Sequence, residues 1–109
     1  MRVLIDECID RRIKPHLLGH DVWTVQDMGW VGKQNGELLR EMIGSKLEVL
    51  LTVDKSIQFQ QNIQSSGVAL LVMKPKKNKI KELMPLIPDV LAALGTIKPG
   101  EVVEVGHLP

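Results

Sequence analysis

Aromatic side chains are almost missing from this chain. It has no tyrosine, a single phenylalanine, Phe59, and two tryptophans, Trp23 and Trp30. Recognition dominated by ring stacking is therefore not expected. Trp30, in a stretch that reads as exposed loop, would offer one platform, whereas Trp23, in a run of strand formers, is expected to pack in the core. Cysteine is nearly absent too, since Cys8 stands alone and cannot close an intrachain disulfide. Cys8 would be a nucleophile only if a base activated it, and a small buried hydrophobe is the better default reading. No apolar run approaches the ~20 residues that cross a bilayer. The first residues lack the basic, apolar and small-residue succession of a signal peptide. A soluble protein in a reducing cytoplasm, without membrane contact, is the expectation.

Other signatures are missing as well. There is no Walker-type glycine loop and no Gly-x-Ser-x-Gly elbow, which leaves phosphate-loop NTPases and α/β hydrolases without support. His16, His20 and His107 do not have zinc-ligand spacing. A formal net charge of +1 decides neither for nor against a nucleic-acid partner, because a local basic patch suffices.

What is present is a chain of 109 residues, 44% hydrophobic and 25% charged, which suits one globular domain over 1–109 and is too short for two. Its apolar runs are short and regularly interrupted. Arg2 to Ile5 reads as a buried strand ending near Asp6. Ile9, Ile13, Leu17 and Leu18 follow helical spacing from Cys8 to Leu18, with Pro15 shortening or bending that helix and Gly19 ending it. Asp21 to Val25 reads as a second strand, and Gln26 to Lys33, with two glycines, as a loop. Leu38, Leu39, Met42 and Ile43 form the stripe of a helix capped by Asn35 and ended by Gly44. Leu47 to Val53 is the clearest strand, apolar enough to be buried on both faces. A short helix from Lys55 to about Gln64, a strand from Val68 to Met73, and a helix from about Asn78 to Leu94 broken by Pro85 and Pro88 follow. After the Pro99-Gly100 turn, Glu101 to Val105 alternates like a half-exposed edge strand, read as antiparallel. The order βαβαβαβα and then β predicts a three-layer α/β/α domain with a mostly parallel central sheet.

Acids stand where the apolar runs stop: Asp6-Glu7 after the first strand, Asp54 after the third, and Glu37 opening the helix between them. Parallel strands end on one edge of an open sheet, where ligands bind, so Asp6 and Asp54 are expected to be neighbours there. Carboxylates gathered from distant positions suggest a metal site, although capping of the following helix explains each acid singly. Glu7 points away from Asp6 if the strand continues, and a helix-dipole role suits it equally. Asp27 reads as an ordinary loop acid.

Together, VLIDE, GHDVWTVQDMG, NGELL and VLLTVDK resemble, in that order and over roughly the first 75 residues, the PIN-like proteins of the DUF5615 or Mut7-C-related set. These are small relatives of PIN-domain ribonucleases, often encoded as toxins beside an antitoxin. The resemblance implies a PIN-like fold and, where active, divalent-metal-dependent RNA cleavage. Asp6 matches the first-strand acid, Glu37 the acid at the start of the middle helix and Asp54 the acid after the third strand. The family usually has Asn where this chain has Cys8, often Pro where it has Asp10, and commonly a second acid and Phe where it has Ser56 and Ile57.

The expected function is a metal-dependent endoribonuclease, the toxin of a toxin–antitoxin pair, with Mg2+ or Mn2+ on Asp6, Glu37 and Asp54. Magnesium keeps several waters, so a few carboxylates hold it. Losing the acid at Ser56 favours one ion over two. Lys55 would hold a scissile phosphate or stand exposed, and Asn35 would bind substrate or orient Glu37 if it is not simply the helix cap. Lys76 and Lys77, within the run Lys74, Lys76, Lys77, Lys79 and Lys81, would follow an RNA backbone, a run that otherwise reads as a solvated face. Expected partners are RNA, an antitoxin protein and a second copy of the chain, the last through Val102, Val103 and Val105. Two alternatives accompany this reading. One is a catalytically inactive PIN-like module that binds RNA or protein, favoured by Ser56. The other is a phospho-receiver, suggested by Asp6-Glu7, Asp54 and Lys74-Pro75, but Lys74 follows Asp54 too closely for the βα unit that receivers place between them.

Overall fold

A computed structural model describes residues 1–106; His107 of the histidine set lies outside the described residues. Five strands form one sheet: β1 (Arg2–Ile5), β2 (Asp21–Thr24), β3 (Val49–Thr52), β4 (Ala69–Lys74) and β5 (Val102–Gly106). Their order is β2-β1-β3-β4-β5, and every neighbouring pair is parallel. The helices are α1 (Val25–Met28), α2 (Asn35–Gly44), α3 (Ile57–Gln60), α4 (Ile63–Ser66), α5 (Ile80–Leu83) and α6 (Ile87–Leu94), with 3-10 turns at Arg11–His16 and Met84–Leu86.

Strand alternation sorts the apolar residues into two cores. Val3, Ile5, Val49, Leu51, Leu71 and Met73 face one side, where Ile13 and Leu17 of the first connection and Leu83, Val90 and Leu94 of the last one pack. Leu4, Leu50, Leu70 and Val72 face the other, under Val25, Leu38, Leu39, Met42, Ile57 and Ile63. The sheet is therefore the middle of three layers. Because strands covered on both faces have no polar side, VLLT of β3 is buried throughout.

Several expectations change. The fifth strand is parallel, not antiparallel, because α5, the 3-10 turn and α6 carry the chain from the carboxyl end of β4 back to the amino edge before β5 begins. Gly100, at φ +82°, makes that entry possible: a Cβ there would stand 2.6 Å from the Gln64 carbonyl oxygen. The first helical stretch is a 3-10 turn, Arg11–His16, with Pro15 inside it. The segment read as loop from Gln26 begins instead as α1, one turn closed by a capping box in which Asp27 N donates to Thr24 Oγ1 at 2.9 Å and Thr24 N donates to Asp27 Oδ2 at 2.9 Å. Asp27, also paired with Lys14 at 2.7 Å, is thus a helix-capping acid. Lys55 to Gln64 divides into the separate turns α3 and α4.

Trp30 is 9% exposed and belongs to the second core, so it offers no surface platform. The turn after α1 folds it inward, its N–H bonding the Val25 carbonyl at 3.0 Å. Trp23, on the edge strand, is only partly buried, with the Arg2 guanidinium 4.8 Å from its ring centroid.

Candidate functional site at the carboxyl edge of the sheet

The chain runs from β1 outward to β2 and then returns past β1 to β3, so the direction of winding reverses between β1 and β3. In open α/β sheets the crevice beyond such a switch point is where ligands bind. Asp6 stands there, its backbone N–H continuing the ladder to the Leu51 carbonyl at 2.9 Å. Its side chain is fixed from several directions. Thr52 Oγ1 donates to Asp6 Oδ2 at 2.7 Å, Cys8 Sγ donates to the same oxygen at 3.5 Å, and Glu7 N donates to Oδ1 at 2.9 Å. Asp6 is 8% exposed, an unusual position for a carboxylate and one tolerated only when its oxygens are satisfied.

Thr52 joins this group to the next strand exit. It is wholly buried at the end of β3, and while its hydroxyl donates to Asp6 its oxygen accepts the Asp54 backbone N–H at 3.0 Å. Asp54 is half-buried, and its Oδ1 accepts both Ser56 N at 2.9 Å and Ser56 Oγ at 2.6 Å. Thr52 thus ties the Asp6 carboxylate to the Asp54 backbone at the edge the sequence pointed to, while the Asp54 carboxylate is held by Ser56. Sequence reading passed over Thr52, although a polar residue closing the run VLLT was its signal.

Glu37 does not join them. Leu38, Leu39 and Met42 take the buried side of α2, which leaves Glu37 exposed in the first turn. Among the described residues, no group of three or more His, Cys, Asp or Glu side chains is placed to hold a metal ion. A three-carboxylate set of Asp6, Glu37 and Asp54 is not assembled. Asp6 and Asp54 each bring carboxylate oxygens, the ligand type that magnesium and manganese prefer, and each is bonded within the chain, Asp6 to Thr52 and Asp54 to Ser56.

Asn35 is the first residue of α2 rather than its cap. Gln34 holds the capping position without a side-chain bond, and Asn35 Nδ2 donates to Gln60 Oε1 at 3.4 Å. Glu7 is exposed and accepts the Gly32 N–H at 3.2 Å, tying the loop after β1 to the one before α2.

Cys8 is exposed, contrary to the expectation of a buried hydrophobe, because the chain turns outward after Asp6. Its sulfur is nonetheless turned toward Asp6 and lies 3.6 Å from Thr52 Oγ1. Partial burial pushes the thiol pKa up, and the adjacent Asp6 carboxylate adds to that shift against an opposing bond to the Val53 backbone.

Beside the acids, at the ends of β3 and β4, lies a cleft of about 270 Å³ lined by Val53, Lys55, Met73, Lys74, Pro75, Lys76 and Asn78. Three of these are lysines, so the cleft presents positive charge next to the carboxylates. Asn78 Nδ2 donates to the Cys8 carbonyl at 2.7 Å, fastening the cleft rim to the loop that follows Asp6. Nothing in the sequence marked Asn78 for this role. Lys77 is exposed and outside the lining, and Lys74 is also paired with Glu104 at 3.6 Å.

The fold is a three-layer α/β domain with an all-parallel sheet, with Asp6 and Asp54 following the two strands on either side of its switch point. Comparison with family models, with curated proteins and with solved structures returns no match. No helix among the described residues is long and apolar enough to cross a membrane.

Proposed function

We propose that this protein is a metal-dependent endoribonuclease whose site is the Asp6–Thr52–Asp54 group and the lysine cleft beside it. One observation carries the reading: a single buried hydroxyl bonds both the Asp6 carboxylate after β1 and the backbone N–H of Asp54 after β3, at the edge where α/β sheets bind ligands. The sequence resemblance to PIN-like ribonucleases, carried in part by the same two acids, points the same way. It is also the only support for an antitoxin partner and for pairing of two copies, whereas a cytoplasmic setting rests on the lone Cys8.

Asp6 and Asp54 would hold a magnesium or manganese ion, which supplies Lewis acidity and a more acidic bound water. The remaining work belongs to the chain. Thr52 holds Asp6 and the Asp54 backbone in fixed relation. Lys55, Lys74 and Lys76 neutralise phosphates of a strand lying in the cleft, the term that dominates nonspecific affinity for nucleic acid. Asn78 keeps the loop after Asp6 against the cleft rim, so that carboxylates and cations meet the same phosphodiester.

The test is cleavage of a mixed pool of structured and single-stranded RNA with magnesium or manganese, comparing wild type with Asp6→Asn and Asp54→Asn and using EDTA as control. Metal-dependent cleavage lost in both variants supports the assignment. Folded but inactive wild type sinks it.

A second reading, an inactive RNA- or protein-binding module, is favoured by a specific observation: Ser56, where the family commonly has an acid, spends its hydroxyl on Asp54. Binding without turnover would distinguish it. The phospho-receiver alternative shares the parallel order β2-β1-β3-β4-β5, but Lys74 ends β4, the very next strand after Asp54, so the βα unit that receivers place between phosphoacceptor and lysine is missing.

A further inference from the structure

The chain has three aromatic residues, and folding leaves one of them to solvent. Trp30 is buried and Trp23 lies under Arg2, whereas Phe59 is 83% exposed. Phe59 lies in α3, the turn that follows the Asp54 exit. Its backbone N–H bonds the Ser56 carbonyl at 3.0 Å, and Ser56 is the residue that holds Asp54. The turn is anchored on both sides: Ile57 is wholly buried in the second core, and Gln60 accepts from Asn35 of α2. The ring is thus presented on a fixed support, in the same short connection as Lys55, which lines the basic cleft.

Scattered exposed apolar residues need no explanation by themselves. Phe59 differs from Leu18, Val31 and Ile43, also exposed, in having a flat π face and in sharing a connection with an acid and a lysine of the candidate site. An aromatic face beside phosphate-neutralising lysines is the arrangement by which proteins hold single strands, because every base has a face to stack while the backbone follows the charge. A base paired in a duplex has both faces occupied.

We infer that Phe59 is a stacking platform for an unpaired base of single-stranded RNA whose backbone lies along Lys55, Lys74 and Lys76. This makes the substrate class single-stranded and rests on the ribonuclease reading for the nature of the ligand. Binding itself does not require turnover.

The experiment is fluorescence anisotropy with a labelled single-stranded RNA of about 12 nucleotides, within the usual site size for such grooves. It is run in EDTA and again in magnesium, with the integrity of the RNA checked on a gel, for wild type, Phe59→Ala, Phe59→Leu and Phe59→Trp. Alanine and leucine are each expected to weaken binding by about 5- to 100-fold, with tryptophan retaining it. Circular dichroism checks that each variant is folded. Unchanged affinity in Phe59→Ala, or full retention by Phe59→Leu, overturns the inference. So does a wild type that binds duplex but not single strands, or neither, which would leave Phe59 to a protein partner. Cleavage by wild type with unchanged binding in Phe59→Ala would remove the platform and keep the nuclease; Phe59-dependent binding without cleavage would do the reverse.

Discussion

Thr52 donates its hydroxyl proton to Asp6 at 2.7 Å, joining the ends of β1 and β3 in a place almost closed to water. The same oxygen receives the Asp54 N–H, so one side chain bonds the Asp6 carboxylate and the Asp54 backbone together. Thr52→Val keeps the shape and removes both roles. Because a bond to a charged acceptor is lost and a buried carboxylate is left short of a donor, denaturant unfolding is expected to show a loss of about 1.5–3 kcal/mol. Metal-dependent cleavage should fall about 10- to 100-fold, as when supports of metal ligands are removed. Thr52→Ser should recover most of both, and a valine variant as active as wild type would contradict the assignment.

Glu37 separates the structural site from the one read in the sequence. It is exposed on α2, and among the described residues no group of three or more His, Cys, Asp or Glu side chains is placed to hold a metal ion. Glu37→Gln is expected to leave cleavage and manganese affinity within a factor of about 2 of wild type, the size of an ordinary surface substitution. Calorimetric titration with manganese checks this, with Asp6→Asn expected to abolish binding in the same assay. A large loss in Glu37→Gln would restore the three-carboxylate site.

Cys8 is exposed, yet its thiol pKa is raised, first by burial of the sulfur and then by Asp6. A raised pKa means a smaller thiolate fraction at any pH below it, and the thiolate is the reactive form. Alkylation by iodoacetamide at pH 8 should therefore be slower than that of a free cysteine peptide. Asp6→Asn removes the carboxylate contribution and should speed the reaction, with the pH profile moving downward. Equal rates for peptide and protein would show that the environment does not act on the sulfur.

Asp10 and Arg12 give a prediction in acid. The forked bonds from Arg12, at 2.6 to 3.1 Å, hold the Asp10 carboxyl at a pKa of about 2, below its ordinary 3.8. A lowered folded-state pKa means that the pair's contribution is fully present above the unfolded value and is lost as pH falls through the folded one. The difference in melting temperature between wild type and Asp10→Asn should be constant above pH 5 and shrink from about pH 4 down to pH 2. The pair is on the surface, so the gap is also expected to narrow in high salt. A gap that widens on acidification would reverse the sign of the linkage.

The layers follow from the residue pattern alone. Short apolar runs such as VLI and VLLT cannot satisfy a helix period and have no polar face, so they become strands covered on both sides, and the intervening stripes become the covers. The same pattern also placed Asp6 and Asp54 at one edge, because neighbouring parallel strands that end before acids deliver them to the same side of the sheet. It did not determine the company those acids keep. Asparagine at position 35 is a good cap by type, but Gln34 occupies that place, and Trp30 looks like loop although its ring closes a core. The parallel direction of β5, the Thr52 bridge, the Asn78 clasp on the loop after Asp6 and the exposure of Phe59 and Glu37 all depend on residues far apart in the chain. Local periodicity records which face of an element is apolar. Only packing of the finished sheet against its two helical layers decides which polar groups find each other and which side chains are left to water.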